Sequence, residues 1–358
     1  MGFNYDFCSM YFSQQLIQWY QANKRDLPWR KTKNAYIIWL SEIILQQTRV
    51  NQGLSYFHKF LEHYPDIESF ASAPEDEVLR HWQGLGYYSR ARNMLKAAKI
   101  IMQEHKGIFP TEYRELIKLP GIGEYTASAI SSFSENEAQA VVDGNVSRVL
   151  SRYFLIDEPI NSSKGKKIFQ QLAQEVLLQE NPGIHNQAIM EFGALQCKPQ
   201  SPNCTICPLQ LSCIAYKNQL VGQLPIKLKA SKSKNRYFNY FVIRQNDKIL
   251  MQKRTGSDIW ENLYELPLIE SSISFKDEDI RYSKEFQQAF GSSSQIIYNS
   301  LPVKHVLSHQ NIFARFFELI NVETGSIKNK DWNYVLIKDL DKLAKSKLTL
   351  SFFEKYFI

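Results

Sequence analysis

Four of the five cysteines crowd into one stretch, Cys197-x6-Cys204-x2-Cys207-x5-Cys213, while Cys8 stands alone near the start. Four soft thiolates within seventeen positions let one compact loop wrap one metal centre. A disulfide framework is a poor fit to a long chain read as intracellular. Spacing alone leaves structural zinc and iron–sulfur open, although zinc ribbons usually present two Cys-x2-Cys knuckles and only one is found. A second feature is Leu119-Pro-Gly-Ile-Gly-Glu-Tyr-Thr-Ala-Ser-Ala-Ile130. Its glycines permit a tight hairpin with outward N–H groups, running straight into a helix N-terminus that suits a phosphate oxygen. Two carboxylates complete the set. Glu42 shares a helical strip with Ile38 and Leu45, and apolar neighbours raise a carboxyl pKa, keeping a proton available near neutrality. Asp143, between Val142 and Gly144, reads as the N-cap of a helix starting near Asn145, where N–H bonds hold a carboxylate ionised.

The elements that must position these groups fall into two halves. From about Phe7 to Ile214 helix follows helix, broken by short Gly/Pro turns. Ala35 to Thr48 places Tyr36, Trp39, Leu40, Ile43 and Ile44 on a wide apolar face. Pro74 to Leu79 opens a helix with Glu75, Asp76 and Glu77 in its first turn, Glu112 to Lys118 precedes the hairpin, and Lys164 to Gln179 is amphipathic. Lys217 to Arg236 has six basic and no acidic residues, with Gly222 and Pro225 inside, and reads as a solvated basic linker. Beyond it Tyr237 to Arg244, Lys248 to Lys253 and Asn311 to Leu319 are β-like, and Asp279 to Phe290 is helical, giving a small α+β domain. The expected division is therefore 1–216 helical, 217–236 linker and 237–358 α+β.

A length of 358 residues suits two domains, with 44% hydrophobic and 22% charged residues supplying two cores. No run approaches the ~18 apolar residues of a membrane span, and Met1 to Met10 lacks a signal-peptide pattern, so a cytoplasmic, nucleoid-associated protein is expected. The net charge of +7 favours a polyanionic partner.

The order of the Leu-Pro-Gly-Ile-Gly hairpin, Val141-Val-Asp-Gly-Asn-Val146 and the four-cysteine loop resembles that of the helix-hairpin-helix DNA glycosylases. Ser41-Glu-Ile-Ile-Leu-Gln-Gln-Thr48 and Gly84-Leu-Gly-Tyr-Tyr-Ser-Arg-Ala-Arg92 narrow the likeness to the adenine glycosylase (MutY) branch. The resemblance covers roughly Phe12 to Ile214 strongly and Arg236 to about Leu319 more loosely. It implies a mostly α glycosylase domain over 1–216, with its helix-hairpin-helix at about 112–131 and an iron–sulfur loop at 197–213, followed by an α+β Nudix-like 8-oxoguanine-recognition domain over 237–358. The cysteines would then hold one 4Fe–4S cluster. The partner would be double-stranded DNA with adenine opposite 8-oxoguanine or guanine, bound by a monomer.

Residue roles follow from that resemblance. Breaking an N-glycosidic bond needs an acid for the leaving base and an anion to steady the oxocarbenium-like sugar. The resemblance gives the proton transfer to adenine N7, then water activation, to Glu42, and the stabilising anion to Asp143, supported by Asn145 and Tyr125. Gly121 and Gly123 would contact the DNA backbone, Gln47 and Tyr87 would fill or wedge the opened base pair, and Thr48 would contact the DNA. Trp29, Arg30, Leu45 and Glu191 would line the base pocket. Tyr125 stands where endonuclease III-like relatives carry a lysine, and neither it nor Ser147 can form a Schiff base, which favours a monofunctional enzyme. In the C-terminal part, Gln252-Lys-Arg254 and Trp260-Glu-Asn-Leu-Tyr-Glu-Leu-Pro267 resemble the Nudix-like module, but no Glu-rich catalytic helix follows Pro267. Ser308 and His309 match the loop that touches 8-oxoguanine, with Leu307 where relatives often have Phe. The competing readings are an endonuclease III-like glycosylase/lyase, a non-catalytic iron–sulfur DNA-binding protein and a Nudix hydrolase with a helical appendage.

Overall fold

The computed structural model describes residues 5–229, 233–276, 279–322 and 331–357. The chain divides into two units, Met1–Ser72 with Asn93–Lys229, and Ala73–Arg92 with Ala230–Ile358. Among the described residues no helix is long and apolar enough to cross a membrane.

The α-helices through the cysteine loop and just beyond it are α1 (Tyr5–Asn23), α2 (Ala35–Leu45), α3 (Val50–His63), α4 (Ile67–Ser72), α5 (Glu75–His81), α6 (Ser89–Glu104), α7 (Tyr113–Leu116), α8 (Glu124–Glu135), α9 (Gly144–Phe154), α10 (Ser163–Glu175), α11 (Pro182–Leu195) and α12 (Ile214–Lys217). In the first unit Phe12, Leu16 and Tyr20 of α1 meet Val146, Val149 and Tyr153 of α9 and Ile189 and Phe192 of α11 in one core. Each fully buried Phe or Leu of this kind contributes about 1.5–3 kcal/mol. Helix α2 starts cleanly because Asn34 Oδ1 accepts from Tyr36 N and Ile37 N. It is buried almost all round rather than on one face, Ser41 and Glu42 included. That surround is what desolvates Glu42.

The second unit is built on an eight-stranded mixed sheet. Its strands are β1 (Lys234–Gln245), β2 (Lys248–Lys253), β3 (Tyr264–Glu265), β4 (Leu268–Ser271), β5 (Gln295–Asn299), β6 (Val303–Val306), β7 (Gln310–Ile320) and β8 (Trp332–Leu336). Strand β1 runs parallel to β7, Lys234↔Gln310 through Ile243↔Leu319, and antiparallel to β2 and β4. Side chains alternate across it. Phe238, Tyr240 and Val242 join Phe352 and Phe353 of α14 (Lys347–Tyr356) on one face. Phe241 and Ile243 join Phe286 and Phe290 of α13 (Lys284–Phe290) on the other. A strand covered on both sides reads as a continuous apolar run, which is how Tyr237 to Arg244 looks in the sequence.

Among the described residues strands begin only at Lys234, so the helical-then-α+β order of the sequence holds. Three expectations change. The helix before the hairpin is the short Tyr113–Leu116. The basic linker is not a free connector throughout. Arg152 Nε donates to Leu224 O at 3.0 Å, Ile160 N to Ile226 O at 3.0 Å and Leu228 N to Asn161 Oδ1 at 2.8 Å, so its first part is tied to the helical unit. Its last part, from Lys234, is already strand β1. Finally, residues 73–92 belong with the sheet unit. Lys253 Nζ bonds Asp76 Oδ1 at 2.6 Å and Arg92 Nη2 bonds Glu261 Oε2 at 2.7 Å, pairings between distant segments that no local pattern announces.

Candidate active site

Glu42, on α2, is only 7% exposed. Tyr125, in the first turn of α8, donates its hydroxyl to Glu42 Oε2 at 2.8 Å. Burial is the main cause that lifts Glu42 to about 7; the Tyr125 bond and Arg30 oppose it and the Asp143 charge adds to it. Asp143 caps α9 as its sequence position implies. Its Oδ1 accepts from Asn145 N at 2.8 Å and Val146 N at 2.7 Å, and its Oδ2 from Asn145 Nδ2 at 2.7 Å. Burial still raises Asp143 above the ordinary carboxylate value, against those donors and Arg148. The two carboxylates are thus unequally served: Asp143 has three N–H donors that favour its ionised form, and Glu42 one phenol.

Trp29, Arg30, Ile38, Ser41, Glu42, Phe133, Gln187 and Met190 line one cavity of the helical unit. Trp29 and Arg30 arrive on a short 3₁₀ turn, Pro28–Arg30, just before α2. Glu191 and Leu45, expected in the same lining, stand outside it. Glu191 lies behind Arg30, its side chain fully buried, and accepts Arg30 Nη1 and Nη2 at 2.9 and 2.7 Å and Arg25 Nη2 at 2.5 Å. Burial would raise that carboxyl, but the two guanidinium groups hold it at about 2. Leu45 instead fills the space over Gly53 of α3. Sequence reasoning missed Arg25, Phe133, Gln187 and Met190; the last three are unremarkable on paper because tertiary packing alone turns them inward.

The hairpin takes the expected form. Gly121 has φ +78°, and a Cβ there would meet Asn93 Cβ at 2.7 Å, so only glycine fits. Gly123 caps α8 and is exposed, as Gly121 is. Gln47 and Tyr87 share a feature invisible in the sequence. Both are exposed non-glycine residues in the left-handed region, φ 56° and 45°. Such conformations persist only where the surroundings impose them, and they gather at functional sites. Thr48 follows Gln47, its Oγ1 donating to Gln46 O at 3.3 Å.

The four cysteines line one apolar cavity with Val149, Phe192 and Leu209. Among the described residues no three His, Cys, Asp or Glu side chains close round a point that would hold one metal ion. An all-thiol donor set of this kind fits a soft metal centre, zinc or iron–sulfur. Two arginines of α9, also unforeseen, tie this loop inward. Arg152 Nη1 reaches Cys197 Sγ at 3.4 Å and Lys198 O at 2.7 Å. Arg148 Nε donates to Cys197 O at 2.8 Å, while its Nη2 donates to Asn145 Oδ1 at 2.8 Å and Gly193 O at 2.6 Å. Gly193 permits this approach, since a Cβ there would lie 2.8 Å from Asn145 Cβ. A chain of bonds thus runs from the cysteine loop through Arg148 and Asn145 to Asp143. The four-residue spacing of the arginines on one helix was the available signal.

In the sheet unit Ser308 and His309 are exposed at the turn between β6 and β7. With Leu85, Tyr87, Trp260 and Leu307 they line a cleft of about 350 Å³, and the Tyr87 and Ser308 hydroxyls are bonded to each other. Strand β4, not a helix, follows Pro267.

A glycine hairpin feeding a helix, a buried glutamate and an aspartate capping a second helix define a helix-hairpin-helix base-excision enzyme. Residues 40–176 match the HhH-GPD superfamily of base excision DNA repair proteins, and residues 239–355 match the NUDIX domain. A solved thermostable thymine-DNA glycosylase, 26% identical, covers 59% of this chain and 97% of its own with a TM-score of 0.55. The adenine DNA glycosylase of Buchnera aphidicola from Schizaphis graminum is 36% identical over 310 residues, 85% of this chain and 89% of its own. That of Mus musculus is 40% identical over 222 residues, 60% of this chain and 43% of its own. The chain belongs to the adenine DNA glycosylase family, enzymes of base-excision repair that hydrolyse N-glycosyl bonds.

Proposed function

We propose that the substrate is adenine mispaired with 8-oxoguanine or guanine in duplex DNA, and that the base is removed without cutting the strand. The observation that carries this reading is the unequal carboxylate pair, Glu42 buried beside one phenol and Asp143 held by three N–H donors. Glu42, protonated near neutrality, gives its proton to adenine N7, so the base departs as a neutral leaving group. Its carboxylate then takes a proton from the water that attacks the sugar at C1′, restoring the starting state. Asp143 steadies the oxocarbenium-like sugar, while Asn145 and Tyr125 fix the two carboxylates. Trp29 and Arg30 hold the base and Glu191 anchors Arg30.

On the DNA, the N–H groups around Gly121 and Gly123 take a phosphate, and Gln47, Thr48 and Tyr87 each contact the duplex. Ser308 and His309 read the opposite base. Cys197, Cys204, Cys207 and Cys213 hold one 4Fe–4S cluster, which when bound stiffens the loop that Arg148 and Arg152 tie to α9. Neither Tyr125 nor Ser147 offers an amine, so no Schiff base forms. The test is excision from duplexes with adenine opposite 8-oxoguanine, guanine or thymine. Excision is expected to be fastest opposite 8-oxoguanine and negligible opposite thymine, with the strand intact until alkali is added and little borohydride-trapped adduct. Strand cutting without alkali, or equal rates opposite thymine, would contradict the reading.

A further inference from the structure

The loop that carries Tyr87 follows α5 in the chain but is held from the C-terminal sheet unit. Gly84, Gly86 and Tyr87 all have positive φ, at 102°, 70° and 45°, a backbone that does not hold itself. From inside, Trp82 Nε1 donates to Gly86 O at 3.0 Å and Arg90 Nη2 to Leu85 O and Gly86 O at 3.1 and 3.2 Å. From the other side the loop and its approach reach the backbone of a single residue, Lys345, at its N–H and at its C=O. Tyr88, only 6% exposed, donates its hydroxyl to Lys345 O at 3.0 Å, and Gln83 Oε1 accepts from Lys345 N at 2.9 Å. Lys345 is 1% exposed and cannot drift. Its ammonium donates to Leu340 O and to Leu343 O, the latter at 2.8 Å, and the neighbouring Ala344 O accepts from Tyr264 N at 2.8 Å. A buried ammonium that loses such acceptors is costly, so the turn at 340–345 is a fixed platform. Tyr87 and Leu85 leave this brace to line the same cleft as Ser308 and His309.

We propose that Gln83 and Tyr88 are positioning residues that register the Gly84–Tyr87 loop against the Ser308–His309 turn through the backbone of Lys345, and thereby set the preference for the base opposite adenine. The inference rests on the reading above that Tyr87 contacts the duplex and that Ser308 and His309 read that base. Two bonds, 83 to 345 and 88 to 345, fix both ends of the loop. Their loss lets Tyr87 move relative to the turn while leaving Glu42 and Asp143 on other helices.

The test uses the full-length, cluster-containing enzyme and single-turnover excision from duplexes with adenine opposite 8-oxoguanine or guanine. Gln83→Leu with Tyr88→Phe should lower the 8-oxoguanine-over-guanine rate ratio about tenfold, with the rate opposite guanine within about twofold of wild type. Gln83→Glu, which keeps an acceptor for Lys345 N, should retain the ratio. An unchanged ratio in the double variant overturns the proposal, and so does a parallel fall of both rates with a lower melting temperature, the mark of a merely structural role. Ser308→Ala with His309→Ala runs alongside. If it lowers the ratio and the brace variant does not, the brace is wrong; if only the brace variant lowers it, the brace stands and the roles given to Ser308 and His309 fall.

Discussion

In the helical unit the groups assigned to chemistry are buried or half-buried and each is bonded to a neighbour, whereas in the sheet unit Ser308 and His309 face solvent. Glu42 is enclosed by α2's neighbours and lifted to about 7, while Ser308 and His309 sit exposed on a turn. The difference follows from the task. Bond breaking needs groups whose proton affinity differs from that in water, which only desolvation and fixed donors provide. Discrimination needs a small free-energy difference, for which ordinary side chains in a fixed place suffice.

The contrast breaks most sharply at Glu42. Glu42→Gln keeps the shape and removes the titrating proton, so single-turnover excision should fall by about 10³-fold or more while mismatch binding persists. Asp143→Asn keeps an acceptor for the α9 N–H groups but loses the anion, and a fall of about 10²–10³-fold is expected in the same assay. Near-normal excision by either variant would place the chemistry elsewhere.

Glu42 also makes a stability claim of known sign. Its folded pKa of about 7 lies above the ordinary 4.5, so wild type loses stability as pH rises through that window and Glu42→Gln does not. The variant should therefore melt above wild type at alkaline pH, by roughly 3 kcal/mol, with the gap closing below the ordinary value. A gap independent of pH would mean that Glu42 is not desolvated as described. Arg148→Met should cost about 2–3 kcal/mol of stability by orphaning Asn145 Oδ1 and Cys197 O, read by thermal melting together with iron content. In the sheet unit the effect is smallest. Ser308→Ala with His309→Ala should shift the opposite-base preference by about 1–2 kcal/mol and leave excision opposite guanine nearly intact.

Much of the first unit was legible because local chemistry and tertiary role coincide there. The Asp143 cap, the Gly121 turn and the four-cysteine spacing each state their own geometry. Glu42 was legible through Ile38 and Leu45, although the depth of its burial came from all sides of α2. The brace at Lys345, the Arg25–Glu191–Arg30 cluster and the Arg148 bridge were not legible. Each joins residues far apart in the chain, and an isolated Arg or Lys carries no mark of its partner. The linker misled for a related reason. Its Lys-rich composition promised solvation, yet its backbone groups at Leu224, Ile226 and Leu228 find partners in the helical unit.

The most direct measurement is the pH dependence of single-turnover excision from an adenine–8-oxoguanine duplex, between about pH 6 and pH 9. With Glu42 as the proton donor, the rate constant should be level on the acid side and fall about tenfold per unit above its pKa near 7, a limb absent from the residual activity of Glu42→Gln. A rate that rises through neutrality, or stays level to the alkaline end, would contradict a protonated Glu42 at the start of the reaction.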